Sequence, residues 1–461
     1  MPRIAKTTPA PKQAETALET RLRHLSTLLG KLSPVPDTWL GSEKKEDSGR
    51  NIGLTPLECT RYSDLINAWR KALKWRQELD DVLSVMLSVA LSTEQIGDQL
   101  FLMVIGDAGS GKTRFCDGML VSNRCYAMEH LTGFHSGWKD ETGEDFSLLA
   151  RANRKTWITP EGDVMMSSPH FQQIMSQQRR IFDGTSGASF KNMKEDRRYT
   201  GLRTPWIIAG TPALMDTDQA RLGDRFLKVI IDQPPEDEKR EILRRVSHSA
   251  LRAVRQRSDG TPESQVEERL GEAYRMTGGY IDWLTDNLDL LANVSVADEY
   301  LDECARLAEL TAFVRARPSR NKEEQHDTKE MPTRLTHQYV RLMACMTVVL
   351  NKESVDEEVM RRVRKVALDT ASGYVLKAVR HMADHQESGV EVRGLSAATG
   401  RRDDQVRTML RFLGTIGAVE MFNPPKAPGE KSLTPKYRYR LSPKLYQLCL
   451  EVFPPAESRS S

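Results

Sequence analysis

The sequence predicts an α/β protein: a three-layer core on a parallel sheet, a long helical stretch after it, and a small C-terminal unit of two helices and a strand pair. Three observations predict this. Residues 100–105 (Leu-Phe-Leu-Met-Val-Ile) form an unbroken apolar run closed by Gly106, the pattern of a strand buried on both faces. Short apolar segments at 124–128, 155–159, 205–210 and 226–231 are separated by helix-compatible segments, as a sheet covered by helices requires. Beyond Pro234 apolar residues keep helical spacing to about His385, broken by a polar stretch at 315–332 that reads as a loop.

The elements follow in order. Residues 1–20 read as a tail. Residues 21–53 hold one short helical pattern (Leu22, Leu25, Leu28, Leu29) and a loop rich in Pro, Gly, Ser and Lys. From 55 to 91, apolar residues at helical spacing (Leu65, Trp69, Leu73, then Leu79, Val82, Val85, Met86) predict two or three helices. The core strands come next, then the helical stretch. Residues 388–448 are a separate pattern: a short helix, a turn at Gly400, a second helix, and two strands across a Pro/Gly/Lys loop.

Composition bounds the function. The chain has 461 residues, with 67 Lys and Arg against 64 Asp and Glu, a formal charge of +3 that excludes coating nucleic acid by bulk charge. The six cysteines (Cys59, Cys116, Cys125, Cys304, Cys345, Cys449) are widely spaced, which suits neither a disulfide scaffold nor a zinc site and reads as reduced intracellular thiols. The N-terminus lacks a secretory apolar region, and the longest apolar-leaning stretch, 82–91, is far short of the ~20 residues that span a bilayer. A soluble, cytoplasmic protein without membrane contact is expected.

The sharpest motif is Gly106-Asp107-Ala108-Gly109-Ser110-Gly111-Lys112-Thr113, which fits GxxxxGK[ST] between the apolar strand and a helix over 114–120. In that context backbone N–H groups of 108–113 cradle phosphates at a helix N-terminus, with Arg114 just inside the helix. Lys112 neutralises the β- and γ-phosphates and the Thr113 hydroxyl ligates Mg²⁺, so ATP with Mg²⁺ is the expected ligand. The 155 strand then ends in Thr-Pro-Glu161-Gly-Asp163. Glu161 takes the position of a water-activating carboxylate, while Pro160 stands where a Mg²⁺-side acid is usual. Either Asp163 serves the metal, or Thr113 and waters do so; alternatively both acids only cap the following helix.

Further motifs follow in a telling order. Residues 179–192 (Arg-Arg-Ile-Phe-Asp-Gly-Thr-Ser-Gly-Ala-Ser-Phe-Lys-Asn) precede Leu202-Arg-Thr-Pro-Trp-Ile-Ile-Ala-Gly-Thr211-Pro, and Arg221-Leu-Gly-Asp-Arg225-Phe226 precedes Gln-Pro-Pro-Glu at 233–236. Met331-Pro-Thr-Arg334-Leu-Thr-His-Gln-Tyr-Val-Arg341-Leu342 comes later. This series resembles AAA+ P-loop ATPases over residues 95–350, and within them the minichromosome-maintenance-like and superfamily 3-like helicases of phages and mobile elements. The resemblance implies a helical lid after the α/β core and a basic hairpin ahead of the strand ending at Thr211. It implies Thr211 as sensor 1, although Pro212 replaces the usual Asn. It implies Arg225 as an arginine finger acting on a neighbouring subunit, the alternative being a salt bridge with Asp224. Arg334 is the implied sensor 2, ahead of Arg315 and Arg317. A finger in trans implies a homo-oligomeric ring, a hexamer.

The implied division is a tail and short helical segment (1–53), ATPase core with leading helices (54–235), lid (236–386) and winged helix (387–461). DNA contacts are expected at two places. Lys191 sits at the hairpin tip with Lys194, Arg197 and Arg198 behind it, and such backbone contacts are sequence-independent. In 388–448, eleven Lys and Arg face five acids. Arg401, Arg402, Arg407 and Arg411 lie on or beside the second helix of a helix-turn-helix, and Lys436, Arg438 and Arg440 alternate on the wing strand. An ATP-driven ring helicase or translocase for replication of a phage or mobile element is expected, with replication or element-encoded partner proteins. The alternative is a non-unwinding AAA+ initiator, loader or transposition regulator.

Overall fold

The structure is a computed structural model; it describes residues 53–95, 98–129, 131, 133–134, 148–188, 197–216, 225–259, 265–316, 331–424 and 437–453. The chain is α/β with a central five-stranded parallel sheet and many helices. Two helices lead, α1 (Tyr62–Ala72) and α2 (Gln77–Leu91). The core runs β1 (Phe101–Gly106), α3 (Lys112–Met119), β2 (Cys125–Ala127), α4 (Leu148–Ala152), β3 (Thr156–Thr159), α5 (Gly162–Met166) and α6 (Phe171–Phe182). A hairpin of β4 (Thr185–Ala188) and β5 (Arg197–Thr200) follows, then β6 (Trp206–Gly210), α7 (Ala213–Asp216) and β7 (Phe226–Ile231).

The sheet order is β2-β3-β6-β1-β7, every pair parallel, with Phe101 level with Trp206 and Phe226. All six residues of β1 are buried, as the unbroken apolar run predicts for the strand between β6 and β7. Side chains alternate between faces. Phe101, Met103, Ile105, Trp157, Trp206, Ile208 and Phe226 meet α4 to α6 in an aromatic-rich layer, where Phe134 stacks on Trp157 with centroids 5.1 Å apart. Leu102, Val104, Ile158, Ile207, Ala209, Leu227 and Val229 face the opposite layer.

That second layer is larger than a core plus a detached lid. After β7 come α8 (Glu236–Asp259), α9 (Gln265–Asp286), α10 (Asp289–Ala292), α11 (Asp298–Arg315), α12 (Thr333–Val349), α13 (Glu357–Thr370) and α14 (Tyr374–Asp384). One apolar cluster runs from α1 and α2 through this sheet face into α9 and α11 to α14. Helix α13 also covers the β7 edge. Thr370 Oγ1 accepts from the Lys228 N–H at 2.9 Å, Asp369 from Ile230 N–H at 2.8 Å, and Lys365 donates to Ile230 O at 3.0 Å. Backbone groups that an edge strand leaves open are thus satisfied by side chains.

The C-terminal elements are α15 (Val392–Thr399), α16 (Asp403–Thr415), β8 (Val419–Phe422), β9 (Arg438–Leu441) and α17 (Pro443–Val452). Gly400, at φ +66°, ends α15 in the left-handed conformation that glycine supplies without strain. Helix α17 went unread in the sequence; Ser442 caps it, accepting from Leu445 N–H. No described helix is long and apolar enough to cross a membrane.

Candidate functional site

The Gly106–Lys112 loop joins β1 to α3 at the carboxyl end of the sheet. Helix α3 begins at Lys112, two residues earlier than expected. Gly109 (φ +81°) and Gly111 (φ +95°) are left-handed, and a Cβ added at either would meet nothing within 4 Å, so the loop is shaped by glycine and open on that side. At Gly106 a Cβ would lie 2.8 Å from Ser110 Oγ and 3.1 Å from Ile231 Cβ, so a side chain there would crowd the loop against β7. Phe115 N–H reaches back to Gly111 O at 3.3 Å. The preceding N–H groups of the first turn have no intrahelical acceptor and can serve an anion.

Lys112 is 7% exposed, and its ammonium donates to Gly106 O at 2.6 Å, Asp107 O at 2.9 Å and Ser110 Oγ at 3.3 Å. These acceptors are neutral. Burial therefore lowers its pKa, against the raising influence of the Asp163 and Asp107 charges. A buried cation with neutral acceptors, beside open first-turn N–H groups, fits a polyphosphate: the anion would offset the cost of burying the charge. Thr113 and Arg114 are exposed at the same helix start.

Two strands away, the acids are placed by a pair of glycines. A Cβ on Gly162 would lie 2.4 Å from Ile208 Cγ2, and one on Gly210 would lie 2.5 Å from Leu214 Cδ1 and 3.1 Å from Asp163 Oδ2. Without these side chains α5 packs hard against the end of β6. Asp163 there accepts from Thr211 twice, from N–H at 2.8 Å and from Oγ1 at 2.9 Å. Sheet order puts β6 between β1 and β3, so Thr211 emerges between the Gly106–Lys112 loop and the acids. Glu161 is exposed and its side chain caps nothing on α5. The capping alternative therefore fails for Glu161, and Asp163 is held by Thr211.

A hydroxyl has one proton, and that of Thr211 is directed at Asp163. In this arrangement Thr211 positions Asp163 and does not itself donate to a phosphate. Each Asp163 oxygen retains a lone pair for a cation. Among the described residues no three His, Cys, Asp or Glu side chains gather into a metal site. A Mg²⁺ ion would thus need phosphate oxygens and water beside Thr113 and Asp163, as that ion usually does.

Arg225 lies elsewhere. It precedes β7, level with the start of β1 rather than its end, and six residues at about 3.3 Å each put it about 20 Å from the phosphate loop. Its guanidinium pairs with Asp183 at 3.3 Å and lies over the Phe182 ring at 5.4 Å; Asp224 lies outside the described residues. Burial lowers its pKa, Asp183 raises it, and the charges of Arg334 and Arg179 lower it. Gln338, one turn after Arg334 on α12, donates to Arg225 O at 2.8 Å. Arg225 and Arg334 therefore gather at the sheet end opposite their own chain's phosphate loop. Arg315 is buried at the end of α11, and Arg317 lies outside the described residues.

The hairpin is present, with Thr185 paired to Thr200 and Ala188 to Arg197. Its tip, with Lys191 and Lys194, lies outside the described residues, as does Lys436. In the C-terminal unit much of the basic charge is compensated. Arg438 donates to Ser388 O at 2.9 Å and pairs with Glu391 at 3.7 Å; Arg440 pairs with Glu420 at 3.1 Å and Arg402 with Asp404 at 3.3 Å. Arg401 lies over the Tyr374 ring at 5.0 Å. Arg407 and Arg411 are exposed one turn apart on the outer face of α16.

No protein-family model matches the chain, and no curated protein does.

Proposed function

We propose that this chain is an AAA+-type ATPase that drives a DNA helicase or translocase as a homo-oligomeric ring, a hexamer, in replication of a phage or mobile element. The observation that carries it is the opposition, across β1, β6 and β3, of the Lys112 loop to the acids Glu161 and Asp163, with Thr211 between them. In this reading the loop and α3 hold the phosphates, Thr113 and Asp163 hold Mg²⁺, and Glu161 orients the attacking water. Arg225 and Arg334 are too far from their own loop to act in cis. They would stabilise phosphoryl charge in the next copy, an effect worth about 10³–10⁵ in rate for such guanidinium groups.

The reading for DNA rests on the β4–β5 hairpin with its lysine-bearing tip, and on Arg407 and Arg411 in a C-terminal unit of winged-helix element order. The second reading is a non-unwinding AAA+ initiator, loader or transposition regulator that binds DNA through the C-terminal unit. Arg407 and Arg411 on the outer face of α16 would be its contacts, since Arg438 and Arg440 of β9 are engaged by Glu391 and Glu420. Strand displacement on forked, 3′-tailed and 5′-tailed DNA separates the two. The helicase reading requires ATP-dependent displacement that is lost in Lys112→Ala, and in Lys191→Ala with basal hydrolysis retained. Normal unwinding by Lys191→Ala removes the threading role of the hairpin.

A further inference from the structure

A cavity of about 310 Å³ lies where the C-terminal unit meets the long helical stretch. One side of α16, the start of α14 and Ala316 at the end of α11 form its walls. Val375, Met409, Phe412 and Leu413 make its interior apolar, and all four are buried. Asp404, Gln405 and Thr408 stand exposed at its mouth, beside Tyr374 and Arg401. An apolar concavity with a few placed polar groups is the usual form of a ligand site, and this volume is at the small end of the range. It suits a single planar ring system; a docked helix, about 10–12 Å across, does not fit.

The mouth says what kind of ring. The Arg401 guanidinium lies over the Tyr374 ring at 5.0 Å, which gives one wall a flat cationic and aromatic surface for stacking. Gln405 Oε1 accepts from the Arg402 N–H at 3.4 Å, so its amide N–H groups face outward as donors. Thr408 gives its only hydroxyl proton to Asp404 O at 2.9 Å, so its Oγ1 is left to accept. A donor beside an acceptor matches the mixed edge of a nucleobase.

Charge extends the match to a strand. Arg407 follows Asp404 by three residues and Arg411 follows Thr408 by three, spacings that place side chains next to each other on a helix. Both arginines are exposed, and no acid among the described residues pairs with either. The acids nearby are engaged: Asp404 pairs with Arg402 at 3.3 Å, and Asp403 accepts from Ser396 at 2.6 Å. Arg401, Arg402, Arg407 and Arg411 thus outnumber Asp403 and Asp404, and the rim is positive beside an apolar slot.

We infer that this cavity takes an unpaired nucleobase of single-stranded DNA, with Arg401 and Tyr374 as its stacking wall and Arg407 and Arg411 on the adjoining phosphates. The inference rests on the DNA reading of the C-terminal unit and adds the state of the strand it recognises. A base within a duplex is already stacked and paired, and enters such a slot only if it is flipped out.

The test is fluorescence anisotropy on the full chain with three labelled probes: a short oligothymidylate, an abasic strand of equal length, and a duplex. Thr408→Trp sets an indole in the mouth from an exposed position, so circular dichroism and binding of a fluorescent ATP analogue should match wild type. Oligothymidylate binding should weaken about 5–150-fold, the worth of one stacked base, while abasic and duplex binding stay unchanged. Tyr374→Ala should repeat that pattern and Tyr374→Phe, which keeps the ring face, should not. Arg407→Ala with Arg411→Ala should weaken oligothymidylate and abasic strand alike, since phosphate contacts ignore the base. Wild-type affinity of Thr408→Trp for oligothymidylate overturns the inference; the cavity then holds something other than a base. Equal losses on the abasic strand or the duplex also overturn it, because the indole would then be blocking a phosphate surface. A wild-type chain that binds none of the three probes removes the DNA reading itself, and this inference with it.

Discussion

Replacing Gly162 with alanine tests how the acids come to face the phosphate loop. The added Cβ would lie 2.4 Å from Ile208 Cγ2 and 3.1 Å from Ala209 O. Carbon atoms pack at about 3.5–4.0 Å, so α5 must withdraw by about 1 Å. Ile208 and Ala209 are fully buried in β6 and cannot yield, so the shift falls on Glu161 and Asp163. Misplacement of about 1 Å in a catalytic arrangement costs about 100-fold in rate, and overpacking costs about 1–3 kcal/mol of stability. Steady-state hydrolysis should show kcat falling about 100-fold. Affinity for an ATP analogue should change less than about twofold, because the Lys112 loop belongs to β1 and not to α5. A Gly162→Ala chain with wild-type kcat would refute the view that this close approach sets the acids.

Other perturbations separate the remaining parts. Thr211→Val deletes the hydroxyl donor to Asp163; a hydrogen bond to a charged group is worth about 1.5–3 kcal/mol, so kcat should fall at least about tenfold with little change in analogue binding. Asp81→Ala removes a buried carboxylate held by Arg361 at 2.6 Å and by the 2%-exposed Arg362 at 3.2 Å; Arg362 keeps Asp80 and Glu358, so the loss in urea unfolding should be about 1.5–3 kcal/mol. Burial alone would raise the Asp81 carboxyl, but the hydrogen bonds from Arg361 and Gln77 and the charges of Arg361 and Arg362 bring it below its usual value. Its contribution is therefore complete above the ordinary carboxylate pKa and lost as pH falls through the depressed one, so the two unfolding curves should converge in acid. Raising salt from about 50 to 200 mM should reduce DNA stimulation of hydrolysis in wild type more steeply than in Arg407→Ala/Arg411→Ala, as fewer phosphate contacts give a shallower dependence.

The strands and the glycine-rich loop between β1 and α3 were legible because their signals are local: an unbroken apolar run, a fixed glycine spacing, a lysine at the helix start. The hairpin and the Gly400 turn were legible for the same reason. What pairs across the fold was not. Asp183 as a partner of Arg225 is set by how α6 meets β7, which no local pattern in the sequence announces. The gathering of Arg225 and Arg334 depends on α12 packing at the start of β7. The roles of Gly162 and Gly210 show only once α5 and β6 are seen in contact, although a glycine beside each acid-bearing or strand-ending position is a signal the sequence carries. The excess of cations at the C-terminal end suggested an open basic surface. Ion pairs formed through the β8–β9 register and the local turns leave that excess in place but decide which cations are engaged, tying Arg402, Arg438 and Arg440 to acids of the same unit.

In the proposed function the Lys112 loop and the acids two strands away hydrolyse ATP in the service of DNA. The most direct test is ATP hydrolysis measured with and without single-stranded DNA, in wild type beside Lys112→Ala. Wild type should show Mg²⁺-dependent hydrolysis stimulated by DNA, and Lys112→Ala none above background. Equal hydrolysis by the two chains, or no nucleotide binding by either, would contradict it.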